Sequence, residues 1–275
     1  MVPGGDCLGT SEAGTTARSR PQELELSVVV PVYRNRQTLR ELRDRLRVVL
    51  APRVTSYELI FVDDACPEGS LTVLEGLARE DPSISVVALE RNAGQQQAVL
   101  AGLRLARGRA VVVMDADLQD PPEAIPVLLD ELRHGHAAVF AGRRGSYESA
   151  SRLISSRLFK RVLHVLCGVP ADAGIFVAMN RQLLRKLMSF HAPRPFLVAM
   201  IGCTGLPVSS VPVERSPRAD GRSAYTPWMR LKTGCLALAW VTIWRSGIDR
   251  TARRLRAEAT GVGRDVNPQW KETRR

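Results

Sequence analysis

The feature that most constrains this chain is a repeated pattern rather than a repeated sequence. Between residues 26 and 144, five short apolar runs alternate with stretches of helical periodicity. The runs are "LSVVVPV" (26–32), "YELIFVDD" (57–64), "ISVVALE" (84–90), "AVVVMDAD" (110–117) and "AAVFAGRR" (137–144). Runs this continuously apolar read as strands buried on both faces. Between them, Leu39, Leu42, Leu46 and Val49 recur at helical spacing, as do Leu71, Leu74 and Leu77. "GQQQAVLAGLRLARG" (94–108) and "PEAIPVLLDELRHG" (122–135) complete the set of helices. Strand and helix in alternation, with short connections, require an α/β fold: a mostly parallel central sheet flanked by helices. Local signals punctuate it. Thr38 and Glu41 have capping-box spacing, Gly108 reads as the glycine that closes the third helix, and the fourth helix opens on proline and closes on glycine.

Past residue 145 the alternation loosens. A helix is expected over 150–167, a strand or turn at "DAGIFVAMN" (172–180), a helix over 180–189, a strand at "PVSSVPVER" (207–215) and a last amphipathic helix over 226–247. With 275 residues and 45% hydrophobic content, the chain can build one large domain, expected over 25–247. Residues 1–24 are rich in Gly, Ser and Thr and lack an apolar signal core, so they read as a disordered arm. Residues 248–275 read as a basic, flexible tail.

In open parallel sheets, ligands bind beyond the carboxyl ends of the strands. That rule lines up Tyr33, Asp63, Asp64, Asp115, Asp117 and Arg143 along one edge. "VVVMDADLQDPP" (111–122) is the segment to explain, because three carboxylates crowd into six positions. Asp115 and Asp117 flank Ala116. On an extended chain their side chains share a face and can lean on one divalent cation, with hard oxygens that suit Mg²⁺ or Mn²⁺ on a diphosphate. The plainer reading is a solvated turn. Asp120, ahead of two prolines, reads as a cap or turn residue. Asp63 and Asp64 can accept from a base N–H or cap a helix. Pro31 and Tyr33 either stop the first strand or shape a slot for a flat base. Neither G-x-G-x-x-G after the first strand nor GxxxxGK[ST] occurs, which disfavours a dinucleotide-binding domain and a P-loop NTPase.

The net charge of +11 asks for an anionic partner. No basic–aromatic module of a nucleic-acid-binding type is present, so nucleic acid is not the expected one. Five widely spaced cysteines without a CxxC argue against a disulfide framework or structural zinc and for a reducing, cytoplasmic setting. No stretch reaches the roughly 18–20 uncharged apolar residues of a membrane span. Trp228, Trp240 and Trp244 with Arg230, Lys232 and Arg245 on the last helix suit either peripheral contact with the inner membrane face or ordinary packing on the domain.

Taken together, "SVVVPVYRN", "YELIFVDDACPEGS", "ALERNAGQQQAVLAGLRLARG", "MDADLQDPPEAIPVLL", "DAGIFVAMNR" and "ERSPRADGRSAYT" resemble the family 2 glycosyltransferases of GT-A fold. The likeness is greatest to the branch of polyprenyl-phosphate mannosyl- and glucosyltransferases, and it runs from about residue 25 to 247. It implies an inverting, metal-dependent transferase taking a sugar from a nucleotide-diphosphate donor to a polyprenyl phosphate, or alternatively to a hydroxyl. A non-catalytic nucleotide- or protein-binding domain is the rival outside enzymes. The resemblance further implies that Pro31, Tyr33, Val62, Asp63 and Asp64 hold the nucleoside. Asp115, Ala116, Asp117 and Gln119 would form the metal–diphosphate site, with Asp115 and Asp117 as Mg²⁺ or Mn²⁺ ligands. Arg143 would reach the phosphates or the acceptor, Arg218 matches the first arginine of the family's R-x-x-G-x-S-x-Y loop so that one or the other assists the departing charge, and Asp172 would stand near the sugar and acceptor. Three positions depart from the pattern. Asn35 replaces an acidic residue, Ala224 stands where lysine is usual in phosphate-acceptor relatives, and Val177 stands where arginine is usual.

Overall fold

A computed structural model of the chain describes residues 24–144, 164–190 and 195–215. They form one seven-stranded sheet, built from β1 (Leu26–Val32), β2 (Tyr57–Asp63), β3 (Ile84–Ala88), β4 (Ala110–Val113), β5 (Ala138–Arg144), β6 (Val177–Asn180) and β7 (Val208–Glu214). The spatial order is β3-β2-β1-β4-β6-β5-β7. β6 alone runs antiparallel, wedged between β4 and β5; the rest pair parallel. The mostly parallel sheet expected from the alternation is therefore present.

The helices are α1 (Leu39–Leu50), α2 (Ser70–Glu80), α3 (Gln95–Leu105), α4 (Ile125–Arg133, entered through a 3₁₀ turn at Pro122–Ala124), α5 (Arg181–Met188) and α6 (Leu197–Cys203). They divide the core in two. Strand residues Val28, Val30, Leu59, Phe61 and Val112 pack under α1, α2 and α4. Val29, Ile60, Val62, Val111 and Val113 pack under α3, α5 and α6. Alternate residues of one strand thus bury on opposite faces, which is why the runs are apolar throughout. Each fully buried Val or Leu stabilises by about 1.5–3 kcal/mol, so these layers outweigh the helix propensity of any single segment.

Several local expectations change. Thr38 opens α1 without a side-chain cap; its hydroxyl donates instead to the carbonyls of Asn35 and, at 2.6 Å, Ala116. Gly108 does not close α3, which ends at Ala106 in extended conformation. It is glycine because a Cβ there would meet Ser27 N at 2.5 Å, Leu26 C at 2.6 Å and Ala110 O at 2.7 Å. Gly135, by contrast, ends α4 at φ +98°, as its position implied. Of the helix expected over 150–167, residues 164–167 are helical and the rest lie outside the described residues, as do the arm over residues 1–23, the last helix (226–247) and the tail. No disulfide joins the described cysteines Cys66, Cys167 and Cys203. Among the described residues, no helix is long and apolar enough to cross a membrane.

Candidate functional site

Parallel register brings the strand ends to one edge. Val32 is level with Asp63, and Met114, next after β4, donates its amide to Val29. Three non-glycine residues adopt left-handed backbone: Arg34 (φ 59°), Ala65 (φ 49°) and Leu118 (φ 59°). They follow β1, β2 and β4 respectively, so all three unfavourable turns gather at the same edge. Clusters of such conformations mark segments whose shape is set by a function rather than by propensity.

The β4 ladder ends at Val113, earlier than the sequence pattern suggested. The alternation nevertheless continues: Ala116, Leu118 and Asp120 are buried, while Asp115 and Asp117 are half-buried. Three distant elements hold the segment. From α1, Thr38 grips the Ala116 carbonyl. From α3, Gln95 Nε2 donates to Asp115 Oδ1 at 2.5 Å. From the end of β7, Arg215 Nη2 lies 4.0 Å from Asp115 Oδ2. Asp117 Oδ1 accepts from the amide of Gln119 at 3.1 Å.

Asp120 lies in the bend ahead of the 3₁₀ turn, but its side chain caps no helix. Its carboxylate is 3% exposed, and its Oδ1 accepts from Arg215 Nε at 2.6 Å, with Nη2 of the same ion pair at 2.5 Å. Burial works against the Arg215 charge, but the hydrogen bond to Asp120 and the charges of Asp120, Asp115 and Asp117 outweigh it and raise the guanidinium's pKa. Neither Gln95 nor Arg215 was picked out from the sequence. Arg215 sits in "VER" with no signal of its own, whereas Gln95 follows "RNAG" at a helix start.

Asp63 and Asp64 divide their work. Asp64 accepts from the amides of Ala93 (2.6 Å) and Gly94 (2.9 Å), so it ties the end of β2 to the start of α3. Asp63 accepts from the Cys66 amide through Oδ2, while its buried Oδ1 has no hydrogen-bond partner among the described residues. Burial raises the pKa of both, against the amide hydrogen bonds that lower it; for Asp63 the neighbouring Asp64 charge adds to the rise. An orphaned buried acceptor asks for a functional reason.

Pro31 is buried inside β1, opposite Val62. Val62 is wholly buried, and its Cγ2 would lie 3.1 Å from a Cβ on Gly102 of α3. Tyr33 is half-buried at the edge, with the Arg34 guanidinium 5.4 Å from its ring centroid. Asp172 also reaches this edge. It lies against the backbone of Gly142, and its Oδ2 accepts from Ser210 Oγ at 3.3 Å. Val113, Val177 and Phe140 are level across β4, β6 and β5. Gly142 follows two residues beyond Phe140 within β5, and Asp115 two residues beyond Val113, past the end of β4. The β5 backbone carries Arg143 to the same edge, opposite Val213; Arg218 lies outside the described residues.

Asp115 and Asp117 offer hard carboxylate oxygens, and among the described residues no three His, Cys, Asp or Glu side chains form a closed cage. That donor set fits Mg²⁺ or Mn²⁺ sharing its shell with phosphate and water better than it fits an enclosed structural ion.

This edge, with paired carboxylates at the tip of the fourth strand, can be set beside known proteins. A family model, Glycosyl transferase family 2, matches residues 27–188. The chain belongs to glycosyl transferase family 2. Within the family it is 31% identical over 207 residues to the glycosyltransferase YkcC of Bacillus subtilis, covering 74% of this chain and 64% of that one. It is 33% identical over 209 residues to an undecaprenyl-phosphate 4-deoxy-4-formamido-L-arabinose transferase of Pseudomonas fluorescens, covering 75% and 61%. The chain thus spans a little under two thirds of these relatives' length. Among solved structures, the mannosyltransferase PcManGT of Pyrobaculum calidifontis, in complex with GDP-Man and Mn²⁺, superposes with a TM-score of 0.60 at 21% identity, covering 82% of this chain and 68% of that one. The glucosyl-3-phosphoglycerate synthase of Mycobacterium tuberculosis, in complex with Mn²⁺, UDP and phosphoglyceric acid, gives 0.60 at 20% identity, covering 82% and 79%. These neighbours show the GT-A fold.

Proposed function

We propose that this chain is an inverting glycosyltransferase that takes a sugar from a nucleotide-diphosphate donor to a polyprenyl phosphate at the inner face of the membrane. The observation that carries the reading is the carboxyl edge itself: Asp115 and Asp117 in one segment beyond β4, with Ala116 and Asp115 held from α1, α3 and β7, in a family 2 chain. The lipid-phosphate acceptor is supported by relatives named as undecaprenyl-phosphate transferases.

In this reading the nucleoside lies against Pro31 and Tyr33, and the orphaned Asp63 Oδ1 accepts from a base N–H. Val62 contributes backbone only, since its side chain belongs to the core. Asp64 fixes the loop that presents Gln95, and Gln95 orients Asp115. Asp115 and Asp117, lined by Ala116 and Gln119, would hold a divalent cation, which would supply Lewis-acid neutralisation of the departing nucleoside diphosphate. Arg143 and Arg218 steady the phosphates. Asp172 stands beside the sugar, seated on Gly142. A lipid phosphate is already anionic and attacks without a base. A hydroxyl acceptor needs its proton taken, and Asp172 is the candidate base for it.

One observation favours the hydroxyl. Val177, where phosphate-acceptor relatives usually carry arginine, is wholly buried between Val113 and Phe140 and supplies no cation. The decisive experiment is a panel of nucleotide sugars assayed for nucleoside diphosphate release, with Mg²⁺, Mn²⁺ or chelator, and with undecaprenyl phosphate or a glycolipid as acceptor. Chelator and Asp117→Asn should each lower turnover by about 100-fold or more, a few kcal/mol of lost charge stabilisation. Turnover indifferent to both would remove the proposal.

A further inference from the structure

The crowded carboxylates of "MDADLQD" are not left to an external cation alone, because the chain brings a cation of its own. Arg215 arrives from the end of β7, and one Asp120 oxygen holds it, accepting from Nε at 2.6 Å with Nη2 at 2.5 Å in the same ion pair. The other Asp120 oxygen is buried without a partner among the described residues. This is more tether than a surface ion pair provides, since both side chains are largely buried, at 17% and 3% exposed. The tethered Nη2 then stands 4.0 Å from Asp115 Oδ2. Formal charges are −1 on each of Asp115, Asp117 and Asp120 and +1 on Arg215, so the group carries −2 before any ligand binds.

We propose that Arg215 is a positioning residue for the Asp115–Asp117 site: a fixed positive charge, tethered by Asp120, that keeps affinity for a bare divalent cation low and makes cation loading depend on the anionic nucleotide. The inference rests on the reading of Asp115 and Asp117 as cation ligands. Its physical basis is direct. A unit charge about 6 Å from a divalent ion, even in water-like surroundings, changes the ion's affinity roughly tenfold. The same charge attracts the diphosphate, so cation and nucleotide favour arriving together. Asp120 thereby acquires a reason to be buried: it aims Arg215 without adding its own oxygens to the cation site.

The two partners of this ion pair make opposite predictions, which separates a charge role from a structural one. Mn²⁺ alone is titrated into the full-length protein and followed by the EPR signal of free Mn²⁺, with and without UDP or GDP. Arg215→Gln should tighten Mn²⁺ binding roughly tenfold without nucleotide, and the nucleotide's enhancement of Mn²⁺ binding should shrink. Asp120→Asn, which leaves the full Arg215 charge facing Asp115, should weaken Mn²⁺ binding. Arg215→Lys should restore the wild-type affinity. If Arg215→Gln binds Mn²⁺ no more tightly than wild type, or if both partners' variants weaken it together, the proposal is wrong. Should Arg215→Gln fail to fold, Asp120→Asn still decides: unchanged or tighter Mn²⁺ binding overturns the idea. Asp117→Asn separates this inference from the reading beneath it. If it leaves Mn²⁺ binding untouched, the two-carboxylate site itself falls. If it abolishes binding while Arg215→Gln changes nothing, only the role of Arg215 falls.

Discussion

Gly142→Ala tests the placement of Asp172 most directly. Gly142 lies in β5 with a negative φ, so alanine brings no backbone penalty of its own. The new methyl, however, would press on Asp172 Oδ2, approach its Cγ to 2.8 Å and lie 3.3 Å from Val211 O. Ordinary contact begins at 3.4 Å, so Cγ must retreat by at least 0.6 Å, from 2.8 to 3.4 Å. The oxygen leading it moves further, giving a displacement of about 1 Å, and misplacement on that scale costs up to about 100-fold in rate. The 3.3 Å bond from Ser210 cannot survive it. Asp172 is half-buried and can swing toward solvent, so the stability cost should stay near 1 kcal/mol. The assay is steady-state nucleoside diphosphate release with the best donor and a hydroxyl acceptor, the case in which Asp172 takes the proton, beside a thermal melt. The expected result is a kcat reduced about 30- to 100-fold, little change in the donor KM and a small shift in Tm. If kcat stays within about twofold of wild type while Asp172→Asn is inactive, Asp172 does not need this seat and the reasoning from the close approach is refuted.

Asp63→Asn should stabilise the protein at pH 7 by about 1 kcal/mol, because it removes a buried, half-satisfied charge. The sign follows from the raised carboxyl pKa: the folded state resists ionisation, so the wild type loses stability as pH rises through the folded value, and the gain from asparagine should vanish below the unfolded value. Denaturant midpoints from pH 3 to 7 check this, and donor KM should rise in the same variant. Gly108→Ala should destabilise more than Gly102→Ala. At Gly108 the new methyl meets backbone atoms at 2.5–2.7 Å, whereas at Gly102 it meets the side chains of Val29 and Val62, which can shift. Overpacking of the second kind costs about 1–3 kcal/mol. Equal urea midpoints for the two variants would contradict that ranking.

The alternation of apolar runs with helical stripes was legible because burial on both sheet faces writes itself into consecutive residues of each strand. Likewise, "DAD" ahead of two prolines announced two carboxylates just beyond the fourth strand, and both are half-buried there although the ladder stops at Val113. What remained hidden depends on which distant segments meet. Nothing local says that β6 inserts antiparallel between β4 and β5, since its four residues pair equally well in either direction. Nothing in "VER" marks Arg215 as the partner of a residue 95 positions away. Asp63 and Asp64 look alike as neighbours. Only the approach of the Ala93–Gly94 turn satisfies one and leaves the other with an unmatched oxygen. The amino-acid order determined the layers and the edge at which chemistry is possible, because periodicity is a local property of a chain. Tertiary structure decided which charges neutralise which, because that depends on distance in space and not along the sequence.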